Sequence, residues 1–368
     1  MNSSEIIVIG GGLAGLTAAR QLAAMGRGVT VFEKQKLPNH KVCGEYLSKE
    51  VVPYLNKSGV DLDDAPHIDR LVLSSAGGKS LNCPLPLGGI GISRHALDYR
   101  LFQAAEKAGA SFVWQSAEAV QWKGSHFEVT SKGETWEAQY VIGSWGKRSA
   151  LDRVQNRGFF ANSSPWMGIK MHYRTEYPKD QVGLYGFEGG YGGLSVTESG
   201  AVNFCYLIHR ERFRETPSLD SCTKRLMRQH PGLREVLEKA EPLFPKALGI
   251  SNIYFGRKEP NKDHVLMAGD AVRLIHPLCG NGMAMAIESG RLLAEVLDGY
   301  IKAGAGNRKL LEHTYQKTWE KTFKTRLWVG ARLQQVLTSP NGLNLGIQAG
   351  TKVPFLLRAI IRKTHGTP

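Results

Sequence analysis

Cysteine is scarce and unpaired in this chain: five residues in 368 (Cys43, Cys83, Cys205, Cys222, Cys279), an odd number with no C-x-x-C spacing. That argues against a disulfide framework and a cysteine-built zinc site, and it fits a reducing cytosol. Long apolar runs are missing too. None approaches the roughly 18 residues that would suggest a membrane span. The opening MNSSEIIVIGGG has no basic n-region, and glycines break its apolar stretch after four residues, so no signal peptide is expected. Aromatic residues do not interleave with the basic ones, which argues against nucleic acid as a partner. No internal repeat or low-complexity tract occurs.

Acidic residues are outnumbered, 33 against 47 Lys and Arg, for a net charge of +14. Residues 301–368 alone carry twelve Lys and Arg against two acids, Glu312 and Glu320. The stretch VPFLLRAIIRKTHG (353–366) is basic and partly apolar. It reads either as the solvated outer face of C-terminal helices or as a peripheral contact with an anionic membrane or a carrier. The 42% hydrophobic and 22% charged content is that of a globular protein with a sizeable core.

Glycine is abundant, at 42 residues, and it is concentrated in motifs. EIIVIG (5–10) reads as a strand, GGLAGLTAARQLAAMG (11–26) as a helix stopped by Gly26, and VTVFE (29–33) as a second strand. Gly10, Gly12 and Gly15 form G-x-G-x-x-G between the first strand and the helix, with Glu33 ending the second strand. In such a turn Gly10 permits the bend, Gly12 lets the backbone approach a pyrophosphate, and Gly15 allows close helix–strand packing. The free N–H groups of the helix N-terminus then face phosphate, and Glu33 can accept from a ribose. Further on, 68–85 reads as two strands around an Ala-Gly-Gly turn. A helix opens at Ser93 and runs to Gly109, and 111–145 reads as a β-meander. Residues 166–208 read as strands, about 219–240 as a helix interrupted at Pro231, 264–272 as a strand and turn, and 283–300 as a helix.

AGDAVRLIHPLCGNGMAMAIESG (268–290) places Asp270 after a glycine, then Pro277, then Gly280–Asn281–Gly282 before a helix. Together with the first motif this resembles the FAD-dependent oxidoreductases that include flavoprotein monooxygenases of the aromatic-hydroxylase type, geranylgeranyl reductases and flavin-dependent halogenases. ISRHALDYR (92–100) is similar to the family's Arg-x-x-Leu helix start, KVCGEYLS (41–48) to its Cys-Gly segment, and VIGSWGKRS (141–149) to its Gly-Ala-Asp-Gly turn. The resemblance implies a Rossmann-like α/β FAD-binding domain of the glutathione-reductase type, interleaved with a β-sheet substrate domain and followed by C-terminal helices. The expected boundaries are 1–67, 86–160 and 255–300 for the cofactor domain, 68–85 and 161–254 for the substrate domain, and 301–368 for the helical end.

It further implies FAD as cofactor, held by Gly10, Gly12, Leu13, Ala14, Gly15, Glu33, Lys34, Lys41, Gly44, Arg94, Ala117, Gly269, Asp270, Pro277, Gly280, Asn281, Gly282 and Met283. Asp270 would bind the ribityl chain, and the 280–282 loop would aim backbone donors at the flavin N1–C2=O edge. Cys43 is the one candidate catalytic residue, beside the isoalloxazine. Trp145 stands where the family carries aspartate in a turn that serves FAD and NAD(P)H, which puts NAD(P)H as electron donor in question. The function implied first is a monooxygenase or hydroxylase of a hydrophobic small molecule, of the secondary-metabolism kind. The alternative is a reductase or desaturase of a polyprenyl or polyketide chain. A halogenase is less favoured without a W-x-W-x-I-P segment, because Lys79 reads as a hairpin-turn residue. A non-catalytic flavin-binding partner is the remaining possibility. A cytoplasmic protein, peripherally attached to a membrane or not, is expected.

Overall fold

The structure, a computed structural model, describes residues 2–304, 306–337 and 342–352. The stretch 353–366, singled out above for its charge, lies outside the described residues. The chain opens with β1 (Asn2–Ile9), α1 (Leu13–Ala24), β2 (Val29–Phe32), β3 (Tyr46–Ser48), α2 (Val52–Lys57), β4 (His67–Ser75), β5 (Ser80–Gly91) and α3 (Arg94–Lys107). Next come β6 (Ser111–Val113), β7 (Ala119–Trp122), β8 (Phe127–Ser131), β9 (Glu134–Gly143), α4 (Ala150–Val154), β10 (Trp166–Arg174), β11 (Gln181–Phe187), β12 (Gly190–Val196) and β13 (Val202–His209). The remainder is α5 (Arg210–Arg214), α6 (Leu219–Gln229), α7 (Pro231–Leu237), β14 (Glu241–Pro242), β15 (Leu248–Ile250), β16 (Asn261–Lys262), β17 (Val265–Met267), α8 (Gly282–Lys302), α9 (Arg308–Leu337) and α10 (Gly342–Lys352).

Two sheets organise these elements. The first has the order β16-β17-β9-β1-β2-β6, with parallel pairing of β1 to β2 and β9, of β2 to β6, and of β17 to β9. Ile6, Ile7, Val8 and Ile9 are all buried, as a central parallel strand covered on both faces requires. Helix α1 contributes Ala18, Ala19 and Leu22 to the core, α8 contributes Leu293, Ala294 and Leu297, and the meander contributes Val120, Phe127 and Val129. Burying each of the larger side chains contributes about 1.5–3 kcal/mol. The 111–145 segment is only partly the expected meander. β7, β8 and β9 pair antiparallel, whereas β6 joins the parallel sheet beside β2.

The second sheet has the order β14-β10-β13-β12-β11-β4-β5-β3, with β15 on β10. Its β3 and the far half of β5 fall within stretches assigned from sequence to the cofactor domain. Tyr46–Ser48 pairs with Gly89–Gly91, so both stretches belong to the second sheet. Alternation divides this sheet into two faces. Tyr185, Phe187, Leu194, Val196, Phe204, Tyr206 and Ile208 pack against Cys222, Leu226, Leu233 and Leu237 of α6 and α7. The residues between them in sequence, Lys170, His172, Tyr191, Gly193, Ser195, Asn203 and Cys205, belong to the opposite face. That face turns toward the first sheet's glycine loops. Farther along, at Leu71, Leu73, Val182 and Leu184, it is covered by Leu343 and Ile347 of α10.

Candidate active site

Helix α1 begins at the mouth of the first sheet with no side chain capping its free amides. Gly10 takes a φ of +108°, and a Cβ at Gly15 would stand 2.0 Å from the Gly10 carbonyl oxygen, so both positions accept only glycine. In front of Gly12 there is open space. The nearest atom to a Cβ built there is an Arg94 guanidinium nitrogen, 3.8 Å away. Glu33 braces the turn: its carboxylate accepts from Gly11 N at 2.7 Å and from Gln35 N at 3.1 Å. Leu13 and Ala14 are buried in the first turn, and Ala14 lies against α8, where a Cβ on Gly290 would meet its carbonyl at 2.2 Å.

Arg94 opens α3, whose N-cap Ser93 accepts from Ala96 N. Its guanidinium forks onto Asp98 at 2.6 and 2.8 Å, and the fully buried Asp98 also receives Lys41 Nζ at 2.7 Å. Burial pushes the Asp98 carboxyl up, but the two cations overcome it and hold its pKa below the ordinary value. Lys41 is therefore committed to Asp98, while Lys34 is exposed on the loop after β2. Ala117 is buried in the first-sheet core.

The second glycine loop sits opposite. Gly269 takes a φ of +62° and donates to Ser289 Oγ. The Asp270 carbonyl accepts from the buried Lys258 Nζ at 2.7 Å. Burial lowers the Lys258 pKa to about 8. Pro277 starts a single 3-10 turn ending at Gly280, left-handed at φ 63°, and Asn281 precedes α8 without a side-chain cap. Gly282 faces Ile275 and Met283 is buried. Two uncapped helix starts, α1 and α8, thus face a region that also holds Arg94. This suits an anionic dinucleotide with a reducible ring, and the donor set fits FAD.

Trp145 turns inward. Its ring lies over Gly143 and beside Met267, and Nε1 donates to Asp152 at 3.0 Å. Asp152 also pairs with the buried Arg157 at 2.9 Å, and Arg157 donates to the carbonyls of Glu259 and Ala271. The turn is held to its neighbours by that network, so this tryptophan acts in packing.

The Cys43–Gly44 segment lies between the two sheets. Asn203 Nδ2 donates to the carbonyls of Cys43 (3.1 Å) and Gly44 (2.9 Å), while a Cβ at Gly44 would meet nothing within 4 Å. Cys43 is half-buried. Desolvation pushes its thiol pKa up, so it is a neutral thiol at pH 7.

Glu45 was not singled out from sequence. It is fully buried at φ 58°, and its carboxylate accepts from Arg94 N at 2.8 Å and Lys170 Nζ at 2.5 Å and pairs with His172 Nε2 at 2.6 Å. Burial pushes its carboxyl up, but His172 and Lys170 prevail and hold the pKa low. His40 stands 5.1 Å from His172 between ring centroids and stacks on His95 at 4.6 Å. Phe244 packs on both His40 and His172. His40, Glu45 and His172 are close enough to hold a metal ion. The Lys170 ammonium already balances the carboxylate, however, and a divalent cation would add charge beside it and Arg94, so the set suits protons better than metal. The alternation in MGIKMHY, with a cation at 170 and a histidine at 172 on one strand face, was the signal available in the sequence.

A family model described as FAD dependent oxidoreductase matches residues 5–42. A menaquinone reductase of Mycobacterium tuberculosis is 27% identical over 318 residues, covering 81% of this chain and 77% of that protein. A digeranylgeranylglycerophospholipid reductase of Thermoplasma acidophilum is 26% identical over 362 residues, covering 89% of this chain and 87% of that protein. Among solved structures, the flavin-dependent brominase Bmp2 aligns with a TM-score of 0.83 at 17% identity, covering 99% of this chain and 93% of that one. A geranylgeranyl bacteriochlorophyll reductase-like protein from Thermoplasma acidophilum aligns at 0.73 with 21% identity, covering 99% of this chain and all of that one. At such identities the solved structures speak to fold alone.

Proposed function

We propose that this chain, an FAD-dependent oxidoreductase, reduces carbon–carbon double bonds in a long isoprenoid chain carried by a lipid. The observation that carries this reading is the inner face of the second sheet. It starts at Lys170 and His172, is bare at Gly193, and continues as an apolar strip at Leu184, Val182, Leu73 and Leu71 that Leu343 and Ile347 of α10 cover, with Leu343 filling the space at Gly186. A linear hydrocarbon would lie along that strip in the place that the α10 side chains take, which suits it better than a compact ring. The two curated relatives described above are named as reductases of a menaquinone and of a geranylgeranylated phospholipid, which supports the same substrate class.

FAD, when bound, supplies the electron pair as hydride. The chain's own residues do the rest. The amides of residues 12–15 would hold the pyrophosphate, Glu33 a ribose, and Asp270 the ribityl chain. The backbone at 280–283 would place donors where negative charge collects on reduction. Gly44 would leave room for the ring. Cys43, Ser195 and Asn203 would fix the loop that separates ring from sheet, since Asn203 and Ser195 both donate to the Gly44 carbonyl. A hydrocarbon chain seated on that strip would exclude water.

The test is anaerobic. FAD-loaded protein reduced with dithionite should convert a geranylgeranyl lipid to products gaining two hydrogens per double bond, read by mass spectrometry. If the substrate is untouched without oxygen and gains an oxygen atom in its presence, the monooxygenase reading replaces this one.

A further inference from the structure

Helix α9 has two unlike sides. Leu311, Tyr315, Trp319, Phe323 and Leu327 are buried in the first-sheet core. Leu310, Lys317, Lys321, Lys324, Trp328 and Arg332 are exposed and recur at steps of three, four or seven residues, so they form one stripe on the opposite side. The two acids of α9 lie off that stripe and are engaged elsewhere, Glu312 with His264 and Glu320 with Arg257. Arg326 is turned away, onto Glu50 and Glu288. Among the described residues no carboxylate pairs with Lys317, Lys321, Lys324 or Arg332. The stripe therefore carries four uncompensated cations along about 22 Å of helix.

Trp328 is 62% exposed, with the Arg332 guanidinium 5.7 Å from its ring centroid. A large apolar ring standing in water among cations is suited to a lipid surface, where the ring sits at headgroup level and the cations reach phosphate. We propose that the outer stripe of α9 docks the protein on an anionic membrane, with Lys317, Lys321, Lys324 and Arg332 on lipid phosphates and Trp328 in the headgroup layer. No described helix is long and apolar enough to cross a membrane, so this attachment is peripheral. Three of the four cations are lysines, point charges on flexible stems. They suit diffuse headgroup charge better than the fixed carboxylates of a protein partner. Beyond residue 352 the sequence adds Arg358, Arg362 and Lys363 and no acid, with Phe355, Leu356 and Ile360 among them. Helix α10 packs on α9 and leaves Leu345 61% exposed, while its Leu343 and Ile347 cover the apolar strip. Docking through α9 brings that cover near the lipid phase. It is independent of which reaction the flavin performs, so its failure would leave the reductase reading intact.

The test is sedimentation of the FAD-loaded protein with vesicles of phosphatidylcholine, alone or with one-third phosphatidylglycerol. The wild type should bind the anionic vesicles and not the neutral ones, and binding should fall as salt is raised. Each cation near such a surface strengthens binding about fivefold, so the variant Lys317→Gln/Lys321→Gln/Lys324→Gln should bind about 100-fold more weakly. The control Lys107→Gln/Lys224→Gln/Lys239→Gln removes the same charge from exposed positions on α3, on α6 and just past α7, and should bind as the wild type does. All six lysines are exposed, and flavin content reports that the fold is kept. Trp328→Phe should abolish the blue shift of tryptophan emission that anionic vesicles produce in the wild type. Equal losses in the two triple variants would assign binding to net charge and overturn the proposal. Equal binding to both kinds of vesicle, or a blue shift that persists in Trp328→Phe, would overturn it too. Retention on heparin without vesicle binding would make an acidic macromolecule the occupant instead.

Discussion

Gly10, Gly12 and Gly15 act through their backbones within six residues of chain, whereas Glu45 reaches its partners Lys170 and His172 across separations of 125 and 127 positions. On the first-sheet side, function depends on what side chains would obstruct. On the second-sheet side it depends on charges brought together by folding. The first arrangement tolerates almost no added atom, and the second tolerates no missing partner.

The sharpest way to break the first half is Gly15→Val. Its Cβ would begin 2.0 Å from the Gly10 carbonyl and 2.4 Å from Ser144 Oγ, with no flexible side chain able to give way at Gly10. We expect loss of FAD binding and of most soluble protein, read by flavin absorbance after purification. On the other half, Glu45→Leu leaves an ammonium and an imidazole buried without their carboxylate. A loss of about 3–5 kcal/mol in chemical denaturation is expected, as for other broken buried pairs. A loss below about 1 kcal/mol would mean that the network relaxes into water.

Acid should separate the two sides next. Burial lowers the pKa of His40 to about 4, and that of His276, stacked on Phe255, likewise to about 4. Between pH 6.5 and 4 the unfolded chain therefore binds more protons than the folded one, and stability should fall as pH drops through that window. Glu45, held below its ordinary range, adds a further loss at still lower pH. Thermal melts of His40→Phe and His276→Phe should show a flatter fall than wild type. An equal slope would show that neither imidazole is buried neutral in solution. The smallest effect is expected at Trp145→Phe, which removes one hydrogen bond to Asp152 while Arg157 still satisfies that carboxylate. About 1 kcal/mol should be lost with FAD content unchanged.

What could be read from the sequence follows the same division. The glycine motifs, the Ser93 cap and the α8 start are local patterns, and each lies where the spacing predicts. The sequence places β6 in the meander because Ser-Phe-Val, only three residues, carries no mark of parallel pairing. Among the residues expected to hold FAD, Lys41 pairs with Asp98, 57 positions along the chain, which nothing local signals. In sequence Lys170 and His172 are polar interruptions of an apolar strand. Alternation puts them on one face, and the second sheet's pairing puts that face beside Asn203 and Cys205. Cys43, singled out by resemblance, sits beside an open Gly44 as a neutral thiol. Glu45, two residues on, carries the charge network.

The most direct measurement is anaerobic single-turnover reduction. FAD-loaded protein, reduced with dithionite and mixed with a geranylgeranyl lipid in the absence of oxygen, should reoxidise its flavin as the lipid gains two hydrogens. A flavin that stays reduced until oxygen is admitted, with the lipid then gaining an oxygen atom, would contradict the account.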